Sequence, residues 1–125
     1  MGPDIGTVGV VGAGTMGAGI AQVALEAGHL VRLHDQSLGA LEAAAGRIND
    51  GLARRAATTG RGIDWVAGCQ DRLGFAFALE ELASVSDLVI EAAIEELDAK
   101  QAIFGTLAAH APPHSILATN TSALS

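Results

Sequence analysis

Gly12, Gly14 and Gly17 stand in "GAGTMG" at the spacing G-x-G-x-x-G, directly behind an apolar run, and a single acid, Asp35, follows eighteen residues after the last of them. Residues of these types at these intervals suit the binding of a dinucleotide without any cationic side chain. Gly12 permits a tight turn out of a strand, Gly14 lets a pyrophosphate approach the backbone, and Gly17 lets a helix pack closely on the sheet. The helix that opens there points free N–H groups and its positive dipole end at the phosphates. Taken alone, the triplet describes a glycine-rich turn between strand and helix equally well. Asp35 shifts the balance. An acid at the end of the next strand accepts hydrogen bonds from the adenosine ribose hydroxyls and repels the extra phosphate of NADP, so NAD is the expected cofactor. The alternative for Asp35 is a helix N-cap or a solvated strand end. The expected cofactor-binding residues here are Gly12, Ala13, Gly14, Thr15, Met16, Gly17 and Asp35.

This loop needs a strand before it and a helix after it, and the sequence supplies both. Thr7 to Val11 is short, β-branched and bounded by glycine, as in a strand buried on both faces. From Thr15, the apolar residues Met16, Ile20, Val23, Ala24 and Ala27 recur at helical spacing, and Gly28 marks the stop. Leu30 to Leu33 reads as a second strand, completing a βαβ unit. Ser37 or its neighbour caps a long alanine-rich helix reaching about Ala57, with Leu38, Leu41, Ala45, Ile48 and Leu52 along one side. Ile63 to Leu73 supports at best a short helix, and Phe75 to Ala78 reads as a short strand. A helical turn around Leu82 follows. Asp87 leads an apolar strand, Leu88 to Ile90. A helix from about Asp98 to His110 turns Ile103, Phe104 and Leu107 inward and is ended by Pro112 and Pro113, and Ser115 to Ala118 is the last strand. Strands and helices alternating in this way imply an α/β, Rossmann-type doubly wound parallel sheet, most simply in the order 3-2-1-4-5, with a helical excursion after the second strand.

Composition narrows the remaining possibilities. A chain of 125 residues, half of them apolar, suffices for one domain with a core of its own. A formal net charge of −7 and a pI near 4.8 argue against nucleic acid as a partner. Arg47, Arg54, Arg55 and Arg61 form a small basic group that reads first as the solvated side of a helix. Cys69 is the single cysteine, so an internal disulfide and a cysteine-based zinc site are both excluded, and no metal site is expected. The sequence has neither a secretory signal nor a run long enough to span a bilayer, which points to a cytoplasmic protein with no membrane partner. Without such a signal, the glycosylation pattern at Asn120, Thr121 and Ser122 carries little weight.

Three stretches taken together, "VGVVGAGTMGAGIAQVALEAGHLVRLHD", "SDLVIEAAIEELDAKQAIF" and "ILATNTSALS", resemble the N-terminal NAD-binding domain of the L-3-hydroxyacyl-CoA dehydrogenases, of the 3-hydroxybutyryl-CoA dehydrogenase type. The resemblance covers nearly the whole chain apart from about Thr58 to Leu79. It implies that the glycine loop and Asp35 bind NAD, that Glu95 and Lys100 make further cofactor contacts, and that Ser122 is catalytic, lying beside the nicotinamide and bonding the reacting oxygen of the acyl-CoA. Asn120 is a weaker candidate. The implied reaction is the oxidation of (S)-3-hydroxyacyl-CoA to 3-oxoacyl-CoA in fatty-acid metabolism (β-oxidation). In the second half of the excursion the chain is short and glycine-rich where the family grips CoA, so Arg54 and Arg55 are candidates for CoA phosphates without being assigned.

The resemblance also implies a histidine base paired with a glutamate, in a His-Phe-Phe-type motif that these 125 residues do not contain. His29, His34, His110 and His114 read as ordinary structural histidines. The expectation is therefore an NAD-binding domain over residues 1–125, truncated before the catalytic histidine and the helical domain that makes the homodimer, and with little or no turnover alone. Two alternatives stand beside it: the NAD-binding domain of a β-hydroxyacid dehydrogenase, which shares the glycine-methionine loop but lacks "TNTS", and a non-catalytic NAD-binding protein.

Overall fold

The computed structural model describes residues 6–92 and 97–119. Along the described residues strands and helices alternate except where α3 follows α2: β1 (Thr7–Val11), α1 (Thr15–Glu26), β2 (Leu30–His34), α2 (Leu38–Thr59), α3 (Ile63–Asp71), β3 (Leu73–Phe75), α4 (Leu79–Val85), β4 (Leu88–Glu91), α5 (Leu97–His110) and β5 (Ile116–Thr119). Local chemistry explains the helix ends. Beyond α1, the Gly28 N–H donates to the Leu25 carbonyl at 3.0 Å and the His29 N–H to the Ala24 carbonyl at 3.1 Å, the paired bonds that close a helix on a glycine. At the start of α2 the Ser37 hydroxyl accepts from the Ala40 N–H at 3.1 Å.

All five strands are parallel, in the order β3-β2-β1-β4-β5, as the sequence implies. Strand parity divides the core in two. Val8 and Val10 of β1, with Val31 and Leu33 of β2, meet Leu25, Leu41, Ile48 and Leu52 of α1 and α2. Val11 and Val89 meet Leu82 of α4 and Leu107 of α5. Each helix layer thus covers its own side of the sheet, and β1 lies where the connections diverge. In such a sheet, ligands gather beyond the carboxyl ends of the strands at that divergence.

Several boundaries move. The excursion contains a true helix, α3, of nine residues. The third strand is Leu73–Phe75, not Phe75 to Ala78, because pairing with β2 begins as soon as α3 ends: the Val31 N–H bonds the Arg72 carbonyl at 2.9 Å, and Phe77 is already exposed. β2 and β4 each run one residue further, to His34 and Glu91, and β5 sits one residue later. Of the apolar residues whose spacing marks α1, Ala24 is buried and Ile20 packs on the core, but Met16 and Val23 do not. The helix buries Gly17, Ala18, Ala21, Ala24 and Leu25, whereas Met16 and Val23 are exposed and border an open apolar groove with Val8, Leu88 and Ile90. Small residues win the buried face because only they let the helix axis approach the sheet at the glycine loop. Leu38, expected on the buried side of α2, is likewise exposed.

Candidate functional site

His34, Val11, Glu91 and Thr119 are successive register partners across β2, β1, β4 and β5, so these four strands end level at one rim. The glycine loop leaves this rim from β1. Gly12 has φ +107°, a conformation that side chains rarely adopt, and its N–H bonds the His34 carbonyl at 2.8 Å. A Cβ on Gly17 would stand 1.7 Å from the Gly12 carbonyl oxygen, so only hydrogen at that position lets α1 begin this close to the strand. Gly14 is exposed and is the N-cap of α1, without a side-chain cap, and a Cβ added to it would meet nothing within 4 Å. Thr15 and Met16 are exposed beside it, while Ala13 and Gly17 are buried. Open ground over a bare helix start is what a pyrophosphate requires, and the residues present fit NAD.

Asp35 closes the other side of the loop. Its Oδ2 accepts from the Ala13 N–H and its Oδ1 from the Ser37 N–H, both at 2.9 Å. The N-cap of α2 is Ser37, which removes the capping alternative for Asp35. An ionised carboxylate offers about four acceptor positions, so one bond to each oxygen still leaves capacity toward ribose hydroxyls. Arg32 turns elsewhere, its Nη1 donating to the Val31 carbonyl at 3.0 Å.

Lys100, in the first turn of α5, is buried at the same rim. Its Nζ lies 2.9 Å from Glu91 Oε1 and donates to Thr119 Oγ1 at 3.0 Å, and the Thr119 hydroxyl donates to the same Glu91 oxygen at 2.8 Å. Sequence reasoning picked out Lys100 and missed Glu91 and Thr119. The available signal was an acid ending an otherwise apolar buried strand nine residues before that lysine. Glu95, Asn120 and Ser122 lie outside the described residues.

The remaining candidates are spread over the molecule. His34 Nδ1 bonds the Ala76 carbonyl at 2.8 Å, and His110 Nδ1 bonds the Thr106 carbonyl at 3.0 Å. His114 Nε2 meets Asp87 Oδ1 at 2.6 Å. Asp87 Oδ2 also accepts from the Gly6 and Thr7 N–H groups, at 3.0 and 2.9 Å, so this cluster fastens the amino ends of β1 and β4, the rim opposite the glycine loop. These bonds, led by the one from His114, hold the Asp87 carboxyl below its ordinary range. The basic group divides too. Arg55 pairs with Glu26 at 3.0 Å and Arg61 lies 4.7 Å over the Trp65 ring, while Arg47 and Arg54 border a small cleft with Thr15 and Gln22. Among the described residues no cluster could hold a metal ion, and no helix is long and apolar enough to cross a membrane.

Residues 7–125 match the family model described as "3-hydroxyacyl-CoA dehydrogenase, NAD binding domain". The chain is 44% identical over 121 residues to a probable 3-hydroxybutyryl-CoA dehydrogenase of Bacillus subtilis, covering 97% of this chain and 42% of that protein. It is 42% identical over 125 residues to the 3-hydroxyadipyl-CoA dehydrogenase of Escherichia coli, covering 98% of this chain and 26% of that one. A crystal structure of 3-hydroxybutyryl-CoA dehydrogenase from Escherichia coli K12 superposes with a TM-score of 0.88 at 42% identity, over 96% of this chain and 25% of the other. The chain thus spans less than half the length of these relatives.

Proposed function

Because the chain belongs to the family of 3-hydroxyacyl-CoA dehydrogenase NAD-binding domains, we propose that it is the cofactor-binding part of an enzyme that oxidises (S)-3-hydroxyacyl-CoA to 3-oxoacyl-CoA. The observation that carries this reading is the fastening of Asp35 to the glycine loop through Ala13. It holds a ribose acceptor beside a bare helix start, the two features by which a dinucleotide is gripped without cations. In the proposed assignment the loop from Gly12 to Gly17 takes the pyrophosphate and Asp35 the adenosine ribose. Lys100 and Glu95 make further contacts, and Ser122 orients the reacting substrate oxygen.

Bound NAD supplies the hydride acceptor. The residues of this chain bind it and exclude the 2′-phosphate of NADP by the charge of Asp35. The base that takes the hydroxyl proton must lie within hydrogen-bond reach of that oxygen. His34 and His110 bond backbone carbonyls and His114 is at the opposite rim, so we assign none of them to that task, nor His29 in the turn before β2. The base, the acyl-chain pocket and a homodimer contact are assigned to the further sequence that the longer relatives have.

Calorimetric titration of NAD+ tests the reading, with micromolar to sub-millimolar binding expected and NADP+ much weaker. Incubation of the 125-residue chain with 3-hydroxybutyryl-CoA and NAD+ should give no rise in NADH absorbance. Failure to bind NAD+ overturns the cofactor assignment, and turnover overturns the division of labour.

A further inference from the structure

A cation in the first turn of a helix faces the positive end of that helix's dipole. Lys100 is nevertheless there, and it is buried with Glu91, the two side chains being 2% and 0% exposed. Such a pair is a poor device for stability, since two desolvated ions at best recover what they lose, and apolar residues of similar volume usually serve as well or better. Its place in the sheet is more telling. Glu91 is the register partner of Val11, the residue that leads into Gly12, and Thr119 is Glu91's partner on the next strand. The Ala92 N–H bonds the Val11 carbonyl at 2.9 Å, so the backbone at Glu91 is fixed to the residue that leads into the loop.

We propose that Glu91 and Thr119 are positioning residues for the cofactor, fixing the Lys100 ammonium at the rim beside the glycine loop. The proposal rests on the reading of Lys100 as a cofactor contact. Glu91, from β4, supplies the charge that faces the ammonium, and Thr119, from β5, supplies a hydroxyl that accepts from Lys100 while donating to Glu91. The three groups contact one another pairwise, which restrains the ammonium. Glu91→Gln keeps the shape and removes the charge.

The test is calorimetric titration of NAD+ into the native protein and each variant, with a circular-dichroism melt of each. Lys100→Met and Glu91→Gln should each weaken binding about tenfold, the scale of one charge-assisted hydrogen bond, and the double variant should bind no worse than Lys100→Met. Thr119→Ser should bind as the native protein does and Thr119→Val several-fold worse, and this pair carries the test if Glu91→Gln does not fold. Native affinity in Glu91→Gln together with weak binding in Lys100→Met overturns the positioning role. So does a loss in Glu91→Gln that adds in full to that of Lys100→Met. Native affinity in Lys100→Met instead overturns the reading of Lys100 itself.

Discussion

The backbone N–H of Ala13 donates to Oδ2 of Asp35 at 2.9 Å, across a sequence separation of 22 residues. One carboxylate thereby sets the height of the glycine loop above the sheet and also faces the side on which the ribose is expected. Asp35→Ala removes both services, and NAD+ affinity should fall by about 10- to 100-fold, the scale for loss of charge-assisted hydrogen bonds. α2 should remain intact, because Ser37 and not Asp35 caps it. Asp35→Asn keeps one oxygen and drops the charge, so the ratio of NADP+ to NAD+ affinity should rise. Titration of both cofactors into the three proteins checks this.

Two glycines of the same loop should behave oppositely. A Cβ at Gly17 meets the backbone oxygen of Gly12 at 1.7 Å, a contact that no side-chain movement relieves. Gly17→Ala should therefore lose about 3 kcal/mol of stability in urea unfolding, in the range of severe overpacking. A Cβ at Gly14 meets nothing, so Gly14→Ala should melt like the native protein and yet bind NAD+ more weakly, since the methyl group occupies the ground a pyrophosphate needs. A stable Gly17→Ala, or a Gly14→Ala with native affinity, would contradict the geometry.

Acid should loosen the opposite rim first. The bonds from His114 and the Thr7 N–H favour the ionised Asp87 carboxylate and lower its pKa in the folded chain below the ordinary value of 3.8. A carboxyl depressed in the folded state adds stability that is fully present above its unfolded pKa and is lost as pH falls through the folded one. The urea midpoint should consequently drop as pH falls below about 3.8, the unfolded reference value. Asp87→Asn should flatten that limb, and His114→Ala should shift it upward in pH. Midpoints between about pH 2 and pH 6 decide the matter, that being the window in which a carboxylate titrates.

The bridge from Arg55 to Glu26 joins α2 to α1 at 3.0 Å, but the arginine side chain is 57% exposed. Exposed ion pairs contribute little, because water screens them and two long side chains must be held still. Arg55→Ala should change stability by less than about 0.5 kcal/mol, and the difference should vanish in high salt. A larger effect in thermal melts would show that this pair matters to the packing of the excursion.

Strand order and the first βαβ unit were legible because short β-branched runs, helical periodicity and glycine punctuation agreed with one another there. Asp35 was legible for the same reason, a single acid at the end of a strand after a glycine triplet. The packing face of α1 was not, since hydropathy favours Met16 and Val23 whereas close approach to the sheet demands glycine and alanine. The β3 boundary depends on where β2 offers hydrogen bonds, which no local pattern encodes. Glu91 and Thr119 were missed because their meeting with Lys100 depends on strand parity and on how α5 lies against the sheet. Lys100 itself was reached only through the family resemblance.

The close approach that glycine at position 17 permits beneath the Gly12 carbonyl bears also on speed. A loop fastened by Asp35 at Ala13 is held close to the shape that receives the cofactor before any ligand arrives. Association then requires encounter and orientation alone, a single second-order step without a slow isomerisation behind it. A rate set by ligand concentration, and not by rearrangement of the protein, is the kinetic counterpart of a missing methyl group.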